Sequence, residues 1–320
     1  MKKIICIVLA MLLVFGCAAL AEGANVSITT GRPTDKAATT MVVQMDNEPG
    51  ARPQKGIASA DIVYEVELYN GGYTRYTAVF NDTIPDQIEA IRSARIVNAD
   101  IYAEYNGAFV HFGGQKYEGS SVYDYFGTLK IGARYDGING LKEFYRDSSR
   151  KAPNNVVCKL ADLYNRTDWS GITCKSPLKF NANTVIPQGD SVITFKVPYR
   201  DSYSPSYEWD PYAVRYNRFY NGNPYVDGST GEQVQCDNVI VQSVQYAWYG
   251  GKSDAPKVTL TGSGHCDYFI GGRHFTGTWQ RDSIGANTVY FDDAGNEVLF
   301  NPGVTFIEVL KSEKAVEILG

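Results

Sequence analysis

Asp61-Ile62-Val63-Tyr64-Glu65-Val66-Glu67-Leu68, then Asn70-Gly71-Gly72, then Tyr73-Thr74-Arg75-Tyr76-Thr77-Ala78-Val79-Phe80 is the stretch on which the fold reading turns. Both arms are filled with β-branched and aromatic side chains, which suit a pleated, half-buried surface. The residues between the arms accept positive φ and so close a tight turn. The pattern predicts a β-hairpin.

Working outward, Met41-Val42-Val43-Gln44-Met45 reads as a further strand before the hairpin. After it, Arg95 to Tyr105 has helical spacing, with Ile96, Ala99 and Tyr102–Ala103 on one face. Ala108-Phe109-Val110-His111-Phe112 is a short strand ended by Gly113-Gly114, and a second helix is predicted over Lys159 to Asn165. Strand, helix and strand in that order suggest a crossover, so residues 41–170 are expected to form an α/β or α+β domain with a mixed sheet. Beyond residue 170, Pro177, Pro187 and Pro198 punctuate the chain and helical periodicity disappears. Strands are predicted over 191–197, 239–246, 257–261, 267–270, 288–292 and 304–310, with hairpin turns at Gly271-Gly272 and Asp293–Asn296. Residues 190–315 are therefore expected to be a mostly antiparallel β domain.

The amino terminus sets the compartment. Lys2 and Lys3 precede the apolar run Ile4–Phe15, and small residues follow from Gly16 to Ala21. The run is shorter than the roughly 20 residues that span a bilayer. Its charged, apolar, small order is that of an export signal over residues 1–21. Ala19-Leu20-Ala21 fits cleavage before Glu22. Val14-Phe15-Gly16-Cys17 is the alternative, a lipobox in which Cys17 carries the acyl chains and membrane contact follows. Residues 22–40, rich in Gly, Ala, Thr and Ser, read as a flexible leader.

Loss of the signal's two lysines moves the net charge from −5 for the whole chain to −7. That balance argues against a general nucleic-acid binder. A hydrophobic content of 44% excludes wholesale disorder. Cys158, Cys174, Cys236 and Cys266 remain in the mature chain, and outside the cytoplasm they are candidates for disulfides. No Cys-x-x-Cys, Gly-x-Ser-x-Gly, phosphate-loop or His-Glu-x-x-His string is present, so neither a cofactor nor a metal is expected.

Several strings in order resemble the YerB-like lipoproteins, a family of uncharacterised function built from an N-terminal and a C-terminal domain. They are Met45-Asp46-Asn47, Ala51-Arg52-Pro53-Gln54, Gly71-Gly72-Tyr73-Thr74-Arg75, Ile91-Arg92-Ser93-Ala94-Arg95, His111-Phe112-Gly113-Gly114 and Arg150-Lys151-Ala152-Pro153, then Gly277-Thr278-Trp279 and Asn301-Pro302-Gly303-Val304-Thr305. The resemblance implies an extracytoplasmic protein and supplies no reaction. This chain departs from it at Asn154-Asn155, where His-Asn is expected, and at Gln115, where Ser often follows the glycines.

Arg52, Arg75, Arg92, Arg95, Arg146 and Arg150 fall beside turns or segment ends in the first half. A guanidinium is a permanent charge with a planar fork suited to phosphate or carboxylate. Arg92–Arg95 stands where a helix should begin, and His111 where a strand should end. With Asp46, these residues are candidates to gather around one anionic ligand. The competing reading pairs the arginines with acids of the same half, Arg75 with Glu65 or Glu67 for instance, and makes His111 a core residue. The aromatics from Tyr203 to Tyr225 read as cross-strand packing rather than a sugar platform. The expected function is a cell-envelope binding or assembly factor taking an anionic envelope component. The rivals are an enzyme on phosphate-bearing or glycan material, with Asp46 or His111 as acid/base, and a scaffold for envelope proteins.

Overall fold

A computed structural model describes residues 25–69, 73–250 and 253–320. The export signal, Cys17 and the Asn70-Gly71-Gly72 turn lie outside the described residues. In chain order the first half holds β1 (Met41–Asp46), β2 (Ile62–Tyr69), β3 (Tyr73–Phe80), β4 (Ile88–Glu89), α1 (Ile96–Tyr102), β5 (Ala108–His111), α2 (Val122–Phe126), β6 (Ala133–Asp136), β7 (Phe144–Arg146), β8 (Val156–Cys158) and α3 (Leu160–Arg166). The second half begins with β9 (Asp190–Ser191), β10 (Thr194–Lys196), β11 (Pro205–Asp210), β12 (Arg215–Tyr220), β13 (Asn223–Pro224) and β14 (Gln235–Cys236). It continues with β15 (Asn238–Gly250), β16 (Ser253–Thr259), β17 (Gly262–Ile270), β18 (Arg273–Arg281), β19 (Val289–Asp292), β20 (Thr305–Lys311) and β21 (Glu317–Ile318).

The expected hairpin is present, with β2 and β3 antiparallel and Val66 opposite Arg75. It lies inside a twelve-stranded sheet whose main path runs β19-β18-β17-β15-β20-β2-β3-β1-β5-β6. β20, from the end of the chain, runs parallel to β2 on one side and to β15 on the other, and so joins the two halves. A second sheet, β13-β12-β11-β10-β21 with β14 beside β12, covers one face of the large one. Phe195 of β10 stacks on Phe269 of β17 at 3.5 Å between ring centres. Tyr203, Tyr207, Tyr216 and Tyr225 are buried in the same layer, so the tyrosine-rich stretch is chiefly packing. α1 and α2 pack on the opposite face among Val42, Tyr64, Phe109 and Ile307.

The α/β expectation is corrected in proportion. The first half does carry the mixed sheet and the second half is chiefly antiparallel, but the three α-helices described have only 7, 5 and 7 residues. β3 and β5 do not form a crossover pair, because β1 lies between them. The helical crossover is β5–α2–β6, whose strands are parallel. Such short helices hold only as part of the packed layer.

The leader is also corrected. From Asn25 the chain is packed in place: Ser27, Thr29 and Thr30 are buried, and Thr29 Oγ1 donates to Asp61 Oδ2 at 2.8 Å. Asp61 also accepts from the backbone N–H groups of Asn81 (2.8 Å) and Asp82 (3.0 Å), so these small polar residues complete a buried hydrogen-bonding network. The disulfides do not form, since all four cysteines are free. Cys236 and Cys266 lie in core clusters on opposite faces of the large sheet, out of reach of each other. Cys174 Sγ accepts the Thr40 N–H at 3.4 Å, while Cys158 is fully buried in the first cluster.

Candidate functional site

β1 and β3 bring Asp46 opposite Arg75 in register. Alternation along β2 puts Glu65 and Glu67 on the other face from Val66 and its partner Arg75, so neither glutamate neutralises Arg75. Instead Arg75 Nε lies 4.0 Å from Asp46 Oδ1, and Arg75 Nη1 donates to the Ser93 carbonyl at 2.7 Å. Arg92 follows directly, with Nε 2.9 Å from Asp46 Oδ2 and Nη2 3.1 Å from Glu48 Oε1. Arg95, the residue preceding α1, gives its backbone N–H to Asn98 Oδ1 at 2.8 Å. Its side chain turns to the hydroxyl of Tyr69, which accepts Arg95 Nη2 at 3.0 Å and also accepts Arg75 Nη2.

Two guanidiniums, Arg75 and Arg95, therefore meet on one phenol oxygen, with Arg92 and the carboxylates Asp46 and Glu48 beside them. Among the described residues no carboxylate comes within 4.0 Å of Arg95, and its Nε is buried without a hydrogen-bond partner. Burial holds the Arg75 guanidinium down to about 10, and the like charges of Arg95 and Arg92 add to this against the pull of Tyr69 and Asp46. The cluster borders a 410 Å³ cleft between the Glu48–Gly50 loop and Tyr69 and Tyr73. Arg200 lies over the Tyr73 ring at 3.8 Å, a cation that the linear sequence gave no reason to place here.

The remaining candidates divide. Arg52 sits on the far side of the same loop, against the adjacent rings of Tyr220 (4.0 Å) and Tyr203 (4.7 Å), with Nε donating to Asn47 Oδ1 at 3.0 Å. Arg150 clamps that loop by donating to the carbonyls of Ala51 (2.7 Å) and Pro53 (2.6 Å). Arg146 is not brought to the cleft; it donates to Asn155 Oδ1 at 2.7 Å and covers Phe112. His111 is a core residue, fully buried against Phe109 and Phe126, with Nδ1 2.8 Å from the Gly113 carbonyl. Burial lowers its pKa, favouring the neutral ring. Asn154, where the resemblance implies His, donates to Asp46 Oδ2 at 2.6 Å and to Glu48 Oε2 at 3.3 Å. An amide at that place positions the two acids and carries no proton for them. Gln115 lies apart, donating to Ser120 Oγ at 2.7 Å.

Two other polar centres involve the second half. Glu65, Arg218 and Glu308 form a buried charge group between the sheets, taken up below. A 500 Å³ cleft lined by Ser243, Thr261, Ser263, His265 and Asp267 holds an acid shared by two imidazoles, His265 at 3.2 Å and His274 at 2.9 Å. Among the described residues no group of three or more His, Cys, Asp or Glu is placed to hold a metal ion. Nor is any helix there long and apolar enough to cross a membrane.

This architecture is shared. The chain is similar to a crystal structure of YerB protein from Bacillus subtilis, with a TM-score of 0.80 and 24% identity over 92% of this chain and 100% of the other. Its sequence is 27% identical over 304 residues to "Putative lipoprotein YerB" of Bacillus subtilis (strain 168), covering 90% of this chain and 87% of the relative. Residues 29–173 match the N-terminal domain, and residues 195–307 the C-terminal domain, described as a protein of unknown function, DUF3048. With both domains matched in order, this chain belongs to the DUF3048 family, to which its resemblance to the YerB-like proteins pointed.

Proposed function

We propose that this protein is an exported binding factor of the bacterial cell envelope that takes an anionic envelope component in the cleft beside Tyr69. The observation that carries this reading is Arg95, a guanidinium without a carboxylate partner beside two others, held on the hydroxyl of Tyr69, which lines the cleft. A phosphate or carboxylate entering there would meet forked donors already held in place, which reduces the ordering cost of binding. The export signal puts the site outside the cytoplasm, and the name of the Bacillus subtilis relative points the same way. The protein is then released by cleavage after Ala21 or held through Cys17. His111, fully buried against Phe109 and Phe126, offers no acid/base to this cleft.

Thermal melting of the mature protein in phosphate or sulfate tests the reading. At 100 times its dissociation constant a ligand adds roughly 2.7 kcal/mol to the folded state. Arg95→Ala should remove that gain at a basal cost of no more than about 1 kcal/mol, since no ion pair is lost. Arg92 is the poorer probe because its removal strips the buried Asp46 of its 2.9 Å partner. A melting temperature indifferent to every anion would sink the proposal.

A further inference from the structure

Resting on that reading, we infer that the cleft is one end of a longer track, built for a linear polyanion rather than a single anionic group. Pro49 is the common wall of two depressions. On one side is the 410 Å³ cleft at Tyr69 and Tyr73, and on the other a 260 Å³ hollow lined by Arg52, Pro53, Tyr220, Pro224 and Val226. Each depression has its own guanidinium without a carboxylate partner among the described residues, Arg95 at the first and Arg52 at the second. Arg52 spends Nε and Nη2 on Asn47, at 3.0 and 2.5 Å, and its guanidinium lies 4.0 and 4.7 Å from the centres of the Tyr220 and Tyr203 rings.

The two guanidiniums lie toward opposite faces of the large sheet, Arg52 against Tyr203 and Tyr220 of one core layer and Arg95 on Tyr69 of the other. That places them on the order of 10 Å apart, about the thickness of a sheet layer. One phosphate or carboxylate cannot touch both. A chain with recurring negative groups can, if its linking units lie over the proline and the tyrosines. Rings and prolines between the charges favour sugar or polyol links over a bare string of phosphates.

The probes are glycerol phosphate and a linear poly(glycerol phosphate) of about ten units, titrated calorimetrically into the mature protein at fixed salt. Joining units that occupy both depressions should make the polymer bind at least about 100-fold tighter per unit than the monomer. Arg52→Lys, which keeps the charge but loses the planar fork, should cut that polymer-to-monomer ratio by about tenfold or more. Tyr220→Leu should act in the same direction and serves if the Arg52 variant folds poorly. A ratio near unity, or one that neither variant changes, overturns the track and leaves the single anion cleft standing. Failure of both probes, with no anion stabilising the fold, removes the cleft reading as well.

Discussion

Arg218→Met should destabilise this protein by about 3–5 kcal/mol, because it leaves buried acids without their cation. Glu65 and Glu308 are cross-strand neighbours on the parallel pair β2–β20, and both are fully buried. Arg218 Nη2 contacts Glu65 Oε2, lies 3.6 Å from Glu308 Oε1, and its Nε donates to Tyr207 Oη at 3.0 Å. Tyr199 donates to Glu308 Oε2 at 2.9 Å, and Asn47 to Glu65 Oε1 at 3.0 Å. Burial, then the neighbouring charge of Glu65, pushes the Glu308 carboxyl up to about 8, so at neutral pH it largely keeps its proton. Without Arg218 no cation offsets the two facing buried acids, so the pair as a whole should bind a further proton on folding. An acid whose folded pKa exceeds its unfolded value binds more protons in the native state, so stability falls as pH rises from the unfolded towards the folded value. Between pH 5 and 8 the extra loss from one such site is at most about 4 kcal/mol, at 1.36 kcal/mol per unit. Urea unfolding followed by tyrosine and tryptophan fluorescence at both pH values should therefore show the gap to the parent protein widening with pH. Glu308→Gln should flatten the parent's own decline across that window. A gap under 1 kcal/mol at both pH values, or one that narrows as pH rises, would refute the charge argument.

Two further outcomes follow from burial. His111→Phe should leave the anion response of the melting curve unchanged. It should also remove the part of the parent's stability lost as pH falls below about 6.5, since a buried imidazole with a lowered pKa binds fewer protons folded than unfolded. An anion response that vanishes with His111 would return it to the site. Denatured under non-reducing conditions and alkylated, the mature protein should carry adducts on Cys158, Cys174, Cys236 and Cys266. In the native protein half-buried Cys174 should react first, because burial raises the thiols of Cys158, Cys236 and Cys266. Fewer adducts in the denatured sample would mean a disulfide.

What the sequence disclosed, and what it withheld, divides along contact range. β2, β3 and β5 were readable because a strand's residue types and bounding turns are local. The gathering of Arg75, Arg92 and Arg95 was half readable: their residue type and turn positions marked them, while their true neighbours depended on register. Reading Arg75 against Glu65 or Glu67 fails by one position of strand parity, since Val66 is its partner and the glutamates face the other layer. Arg218 stood in a tyrosine-rich stretch with nothing to mark it as the cation for two acids 153 and 90 positions away. Arg200 likewise reached the cleft only through the stacking of the second sheet on the first.

The same limit governs the relation between the halves. Residues 29–173 and 195–307 are recognised as separate domains, yet the edge of β2 is completed by β20 from the second half, at Glu65 beside Glu308. Without β20, β2 would present a row of unpaired backbone groups with Val63 and the charge of Glu65 exposed, an edge open to association. The arginine cleft opens at the other end of this arrangement, where Tyr69 ends β2 and Arg200 arrives from the second half to cover Tyr73. The buried charge group that locks β2 to β20 therefore also fixes the strand that carries Tyr69, the hydroxyl on which Arg75 and Arg95 meet. A loss at Arg218 should thus be felt in anion binding as well as in stability, although no part of Arg218 reaches the cleft.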